Sequence, residues 1–159
     1  MPIAAYPSTL PLLLRAQKAR SQVASFSINE PRRGPGYVQE TGTDTPVFWT
    51  GQFRFTRAEA IAFQIWFTQT IRRGALKFTM PIRTEFGLID HECQFLPDGL
   101  ADPTEDGDVW TYSVQLMART QIIPQEYLDG GELIVGLPNW EQWAAALDQA
   151  VTQELPEAP

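Results

Sequence analysis

The chain has 159 residues, 43% of them hydrophobic, and a formal net charge of −7. That length fits one domain with an added arm or tail, and that apolar content excludes a wholly disordered chain. The longest apolar runs, Leu12–Leu14 and Ala144–Leu147, fall far below the roughly 18 residues that cross a bilayer, so no membrane partner is expected.

The charge is unevenly spread. Residues 1–83 hold eleven Lys/Arg and four Asp/Glu, residues 84–159 one and fifteen, so the halves carry +7 and −14. Three readings fit: a basic patch for DNA or a membrane, complementary contacts between copies, or halves that intermix in space and cancel. Leu10–Leu14 is too short for a secretory leader, and Arg15, Lys18 and Arg20 follow it rather than precede it; synthesis in a cytoplasm is expected. The single cysteine, Cys93, excludes an internal disulfide and reads as a buried thiol.

In chain order, residues 1–46 carry punctuation more than periodicity: prolines at 2, 7, 11, 31, 35 and 46, and a turn cluster at Arg32-Arg33-Gly34-Pro35-Gly36. Residues 1–30 read as an N-terminal arm, ambiguous between extended and helical over Tyr6–Arg20, with a short strand at Val23–Ile28. A central β domain is expected over residues 31–120. Val47 to Phe55 alternates, with Val47, Trp49, Phe53 and Phe55 on one face, and Gly51 marks a bulge or a close approach.

Thr56-Arg57-Ala58-Glu59 is a capping box. The helix it opens, residues 57–72, has an apolar stripe wide enough (Ile61, Ala62, Phe63, Ile65, Trp66, Phe67, Ile71) to leave little of it wet. Arg72 and Arg73 suit its negative end and Gly74 its left-handed cap. Ala75–Met80 alternates until Pro81 stops it, Leu88–Leu96 alternates again, and Leu100–Asp108 is a polar loop. Trp110–Arg119 is a strand with Trp110, Tyr112, Val114, Leu116 and Ala118 on one face. Residues 121–159 form a C-terminal extension: a linker with a small strand at Leu133–Val135, then a helix over 140–154, capped by Asn139, with Trp140, Trp143, Ala144, Leu147 and Val151 on one stripe. The end from Leu155 onward frays.

Catalytic chemistry needs convergent titratable groups, and few are available. His91 and Cys93 lie two apart on one strand face, so a nucleophile–base couple is geometrically allowed, but no third orienting residue accompanies it. Asp98, Asp102, Glu105, Asp106 and Asp108 lack the spacing of a calcium loop. No zinc spacing and no phosphate-binding glycine loop occurs. The chain reads as a non-enzyme with no cofactor and no metal.

Ten of the twelve basic residues are Arg, whose planar fork favours protein contacts and structured ion pairs. Nucleic acid, which would need these arginines on one face among aromatics, is the lesser reading. The residues expected at protein contacts are Arg32, Arg33, Arg72 and Arg73, with Trp140, Trp143 and Leu147 of the last helix.

From Arg33 to Arg119 the order of features resembles the small distal-tail and minor tail proteins of long-tailed bacteriophages, such as the lambda minor tail protein M. It begins with Gly34-Pro35-Gly36-Tyr37, then the strand Val47–Phe55 and the capped helix Thr56–Arg72. A Gly-plus-aromatic strand, Gly74 to Pro81, follows, then Cys93-Gln94-Phe95 and a last strand, Trp110–Arg119. Segments 1–30 and 120–159 are additional to the pattern. The resemblance implies an α+β fold: an antiparallel β-sandwich or split β-barrel with one packed central helix, here with an N-terminal arm and a C-terminal helix. It further implies a homo-oligomeric ring, commonly a hexamer, in the virion, between the tail tube and the tip or baseplate, with adjacent tail proteins as partners and nucleic acid only passing through the lumen. A tail terminator or head–tail connector is the neighbouring alternative, and a nucleic-acid-binding accessory protein the alternative from another class.

Overall fold

The computed structural model describes residues 2–137 and 139–153, with side chains up to Ala150. The chain divides into two compact units, residues 1–122 and 123–159.

The first unit is an α+β split barrel. Its strands are β1 (Ala4–Ala5), β2 (Ala19–Gln22), β3 (Phe26–Asn29), β4 (Tyr37–Glu40), β5 (Val47–Thr56), β6 (Phe78–Thr84), β7 (Gly87–Leu100), β8 (Thr104–Asp106) and β9 (Val109–Ala118). One curled sheet runs β1-β6-β7-β9-β5-β2, with β8 also paired to β9, while β3 and β4 form a separate two-stranded sheet. All pairings are antiparallel except β1 with β6.

The alternation in sequence places the core. On β5, Val47, Trp49, Phe53 and Phe55 are buried, and on β9 Tyr112, Val114, Leu116 and Ala118 are, with Trp110 packed against them. β9, the last barrel strand in sequence, lies between β5 and β7, opposing Val47 through Ala118 and Cys93 through the same residue. β7 bulges after Phe95: a Cβ on Gly99 would sit 2.4 Å from the Gln115 carbonyl oxygen, so only glycine lets the two backbones meet there.

Helix α1 (Arg57–Ile65) starts at Thr56, whose amide donates to the Glu59 carboxylate at 3.0 Å, the return arm of the capping box. It widens into a π-helical turn at Trp66–Thr70. Ala60, Phe63, Trp66 and Ile71 face the core, where Phe63 packs on Phe53, Phe55 and Tyr112 with ring centroids 5.0–5.6 Å apart. The broad dry helix expected over residues 57–72 is thereby corrected on two counts. The helical turns end at Thr70, and Ile61 and Ile65 are each 53% exposed, because one stripe suffices to cover the barrel mouth.

The expected arm, residues 1–30, is also corrected. Tyr6 and Leu10 are buried, Tyr6 stacks on Phe53 at 5.6 Å, and its hydroxyl donates to the Pro11 carbonyl at 2.6 Å. The Trp66 indole donates to the Ala5 carbonyl at 3.2 Å, and β1 and β2 cap the two sheet edges. A half-closed sheet leaves its interior open at the seam, and these apolar residues fill it. The close approach foreseen at Gly51 is this segment: a Cβ there would meet Leu13 at 3.2 Å. What projects is the β3–β4 hairpin, which joins the end of the expected arm to the start of the expected central domain.

Pro81 does not stop its strand. β6 runs through it to Thr84 because β1 pairs only as far as Thr79, leaving one edge of β6 without a strand partner where a missing amide costs nothing.

The second unit holds α2 (Gln125–Asp129), α3 (Gly131–Gly136) and α4 (Trp140–Gln153). The strand expected at Leu133–Val135 is helical, inside α3: three β-prone residues are too few to override the turn that Gly130 and Gly136 bracket. The α4 amides of Gln142 and Trp143 bond the Asn139 carbonyl, so Asn139 closes the helix through its backbone. Val151, Glu154 and the tail from Leu155 lie outside the described side chains or residues.

Candidate functional site

Residues that would carry chemistry are sequestered. Cys93 is buried, and its thiol points at the His91 carbonyl oxygen, 3.5 Å away, rather than at the imidazole. Burial pushes the thiol up to about 12, away from the nucleophilic thiolate, with Glu92 adding to the effect. His91 is buried with Nδ1 2.8 Å from the Ile89 carbonyl, and burial holds its pKa below the ordinary value. The couple that two-residue spacing allowed is therefore not assembled.

His91 Nε2 and Trp49 Nε1 are both buried without a hydrogen-bond partner, and their rings meet edge-on at 6.3 Å. If His91 Nδ1 donates to Ile89, Nε2 is left an acceptor and the indole a donor, so the two orphans are complementary. Above Trp49 lies a cleft of about 340 Å³ lined by Lys18, Arg20, Arg83, Thr84 and Glu85. Lys18 and Arg20 sit 5.5 and 5.6 Å from the Trp49 ring centroid. Arg20 grips Glu85 through two bonds of 2.8 and 2.9 Å, and Lys18 donates to the Arg83 carbonyl. Both cations are thus spent on fastening β2 and the residue before it to the end of β6 and the β6–β7 turn. The sequence showed these residues only as scattered charges; nothing local links positions 65 apart.

A second cavity, of about 310 Å³, is lined by Cys93 and Met117 among others, but its charges are paired, Lys77 with Glu92 at 3.0 Å and Arg119 with Asp44 at 3.3 Å. The acidic stretch 98–108 runs from the end of β7, which holds Asp98, through β8 to a turn with Gly107 at φ +63°. Among the described residues no three His, Cys, Asp or Glu side chains converge as metal ligands, and no helix is long and apolar enough to cross a membrane.

The outward face is different. Arg32 and Arg33 occupy the turn between β3 and β4 and are exposed. Along that hairpin, Phe26 and Ile28 share a face with Val38, opposite Ile28, and are 51%, 60% and 66% exposed. A two-stranded hairpin is marginal by itself, and this one keeps its apolar side toward solvent. Arg72 and Arg73 are exposed in the α1–β6 connection, at φ 49° and 58° ahead of Gly74 at 90°. Two non-glycine residues in the left-handed region store strain, held by bonds such as Arg73 N–H to the Phe67 carbonyl at 2.8 Å. In the second unit Trp140 is half-buried, edge-on to Tyr127 at 5.8 Å, whereas Trp143 and Leu147 are 63% and 65% exposed. The seven residues expected at contacts thus divide among a hairpin turn, a helix exit and the last helix. Reading the sequence missed Phe26, Ile28 and Val38, and Ile61 and Ile65, since apolar periodicity marks a face without saying what covers it.

By architecture this is an α+β split barrel with a flanking helix, joined to a small helical unit. No protein-family model matches the chain, and neither a curated protein nor a solved structure does.

Proposed function

We propose that the chain is a structural protein of a bacteriophage tail that assembles with copies of itself into a ring, six copies being the expected number, joining the tail tube to the tip or baseplate. It acts by contact and needs no catalytic group or cofactor. The observation that carries the reading is the set of unpartnered apolar side chains on three separate elements: Phe26, Ile28 and Val38 on the hairpin, Ile61 and Ile65 on α1, Trp143 and Leu147 on α4. Scattered exposed apolar residues are ordinary, but grouped ones mark contact sites. The order of elements, strand, capped helix, then antiparallel strands, agrees with the resemblance to distal-tail and minor tail proteins. A tail terminator or connector would show the same surfaces and differ only in its place in the virion.

The test is the mass of the purified full chain over a range of concentrations, together with its detection in purified particles. A discrete multiple of 17.9 kDa that is also present in the virion supports the reading. A chain that neither self-associates nor enters a particle overturns it.

A further inference from the structure

We propose that the seam beside Trp49 is a binding site for a phosphate group, held by the guanidinium forks of Arg15 and Arg83; it does not depend on the assembly reading. Two clefts of about 340 and 220 Å³ adjoin there, and Arg83 lines both. Lys18 and Arg20 line the larger, Arg15 the smaller. The fold gathers these cations from two places. The Leu14 amide donates to the Gln52 carbonyl at 2.9 Å, the chain turns at Gln17 with φ 59°, and β2 then sets Arg20 opposite Trp49. Arg83 arrives from the end of β6, and its carbonyl accepts from the Lys18 ammonium.

Four cations here face one carboxylate, Glu85, inside a unit whose totals balance at twelve Lys/Arg and twelve Asp/Glu over residues 1–122. Glu85 is committed to Arg20 through two bonds. Among the described residues Lys18 has no carboxylate at ion-pair distance, and its pKa is lowered by burial first and by Arg83 and Arg15 next, against the opposing pull of Glu85. The cations therefore crowd one another without enough opposite charge. Among the described residues the Arg15 and Arg83 guanidiniums make no hydrogen bond or ion pair. Asp90, opposite Pro81 in the strand pair, lines a separate groove with Tyr6 and Leu10. Trp49 steadies Lys18 and Arg20 from beneath, so the positive field is fixed in place. A carboxylate ligand would bring one charge and two acceptor oxygens. A phosphate group brings nearly two charges and three strong acceptors, which planar forks engage in bidentate fashion.

The experiment titrates the full chain with inorganic phosphate at low ionic strength, read by calorimetry, with thermal melting as the check on folding. The parent should bind saturably and melt higher with phosphate present. Arg15→Gln/Arg83→Gln should bind at least about tenfold more weakly, the loss of one charge-assisted hydrogen bond or more, and melt as the parent does without phosphate. Arg32→Gln/Arg33→Gln, which removes the same charge at the hairpin turn, should bind within about twofold of the parent. If the first double variant melts lower, Arg83→Lys decides: it keeps the charge and loses the fork, so weaker binding upholds the site and unchanged binding overturns it. An oligothymidylate of about ten nucleotides distinguishes the sources of the phosphate. Binding tighter than phosphate, with a steep salt slope that Arg15→Gln/Arg83→Gln abolishes, identifies a nucleic-acid backbone; binding no tighter identifies free phosphate or a phosphomonoester. A parent that binds neither probe saturably, or equal weakening by the hairpin variant, overturns the site and leaves the ring reading untouched.

Discussion

His91 shows how a single buried group ties stability to pH. Its pKa is depressed by burial, so the native chain keeps the ring neutral while the unfolded chain takes up a proton near the ordinary value of 6.5. The contribution is intact above that value and is lost as pH falls through it toward the lower folded value. Denaturant midpoints measured from pH 8 down to pH 5.5 should decline at up to about 1.4 kcal/mol per pH unit from this group. His91→Gln, which retains a donor for the Ile89 carbonyl, should flatten that decline; an unchanged slope would place the titration elsewhere. Among residues, burial of the β5 and β9 faces was readable because period-two alternation translates directly into inside and outside. The orphaned Trp49 and His91 nitrogens were not, since their encounter depends on how the sheet curls.

At the scale of elements, the N-terminal segment behaves as part of the barrel. Tyr6 is nearly enclosed by Phe53 and Trp66, at 5.6 and 5.4 Å. Tyr6→Ala should therefore cost about 3–5 kcal/mol, the range for losing a buried aromatic, seen as a fall in denaturant midpoint without a change in assembly per folded chain. A loss below about 1 kcal/mol, within the range of ordinary surface changes, would mean the segment is a detachable arm after all. Periodicity could not reveal this, because residues 2–22 contribute through isolated side chains and two short edge pairings. The capped start of α1 was legible since Thr56 and Glu59 are neighbours in sequence. Its partly wet outer face was not, since that depends on how much barrel lies beneath. Leu133–Val135 misled for the converse reason: β-prone residues took the helical form that their short connection allowed.

For the molecule as a whole, the charge asymmetry resolves along the boundary between units. Residues 1–122 hold twelve Lys/Arg and twelve Asp/Glu, so the entire net charge of −7 belongs to residues 123–159. A chain ending at Ile122 should stay folded, unfold cooperatively at the parent's denaturant midpoint, and pass through an anion-exchange column at pH 7 that retains the full protein. A much lower midpoint on truncation would show that the barrel depends on the helical unit.

The position of β9 governs how the molecule comes into being. The central strand is made last, so β5 and β7 wait with one edge bare until residue 118 has left the ribosome, and Val47 then meets a residue 71 positions downstream. The nascent chain holds two half-sheets, β2–β5 and β1–β6–β7, whose greasy faces lack a common keel. Such open edges invite pairing with the wrong chain on a polysome, and closure over so long a loop is slow.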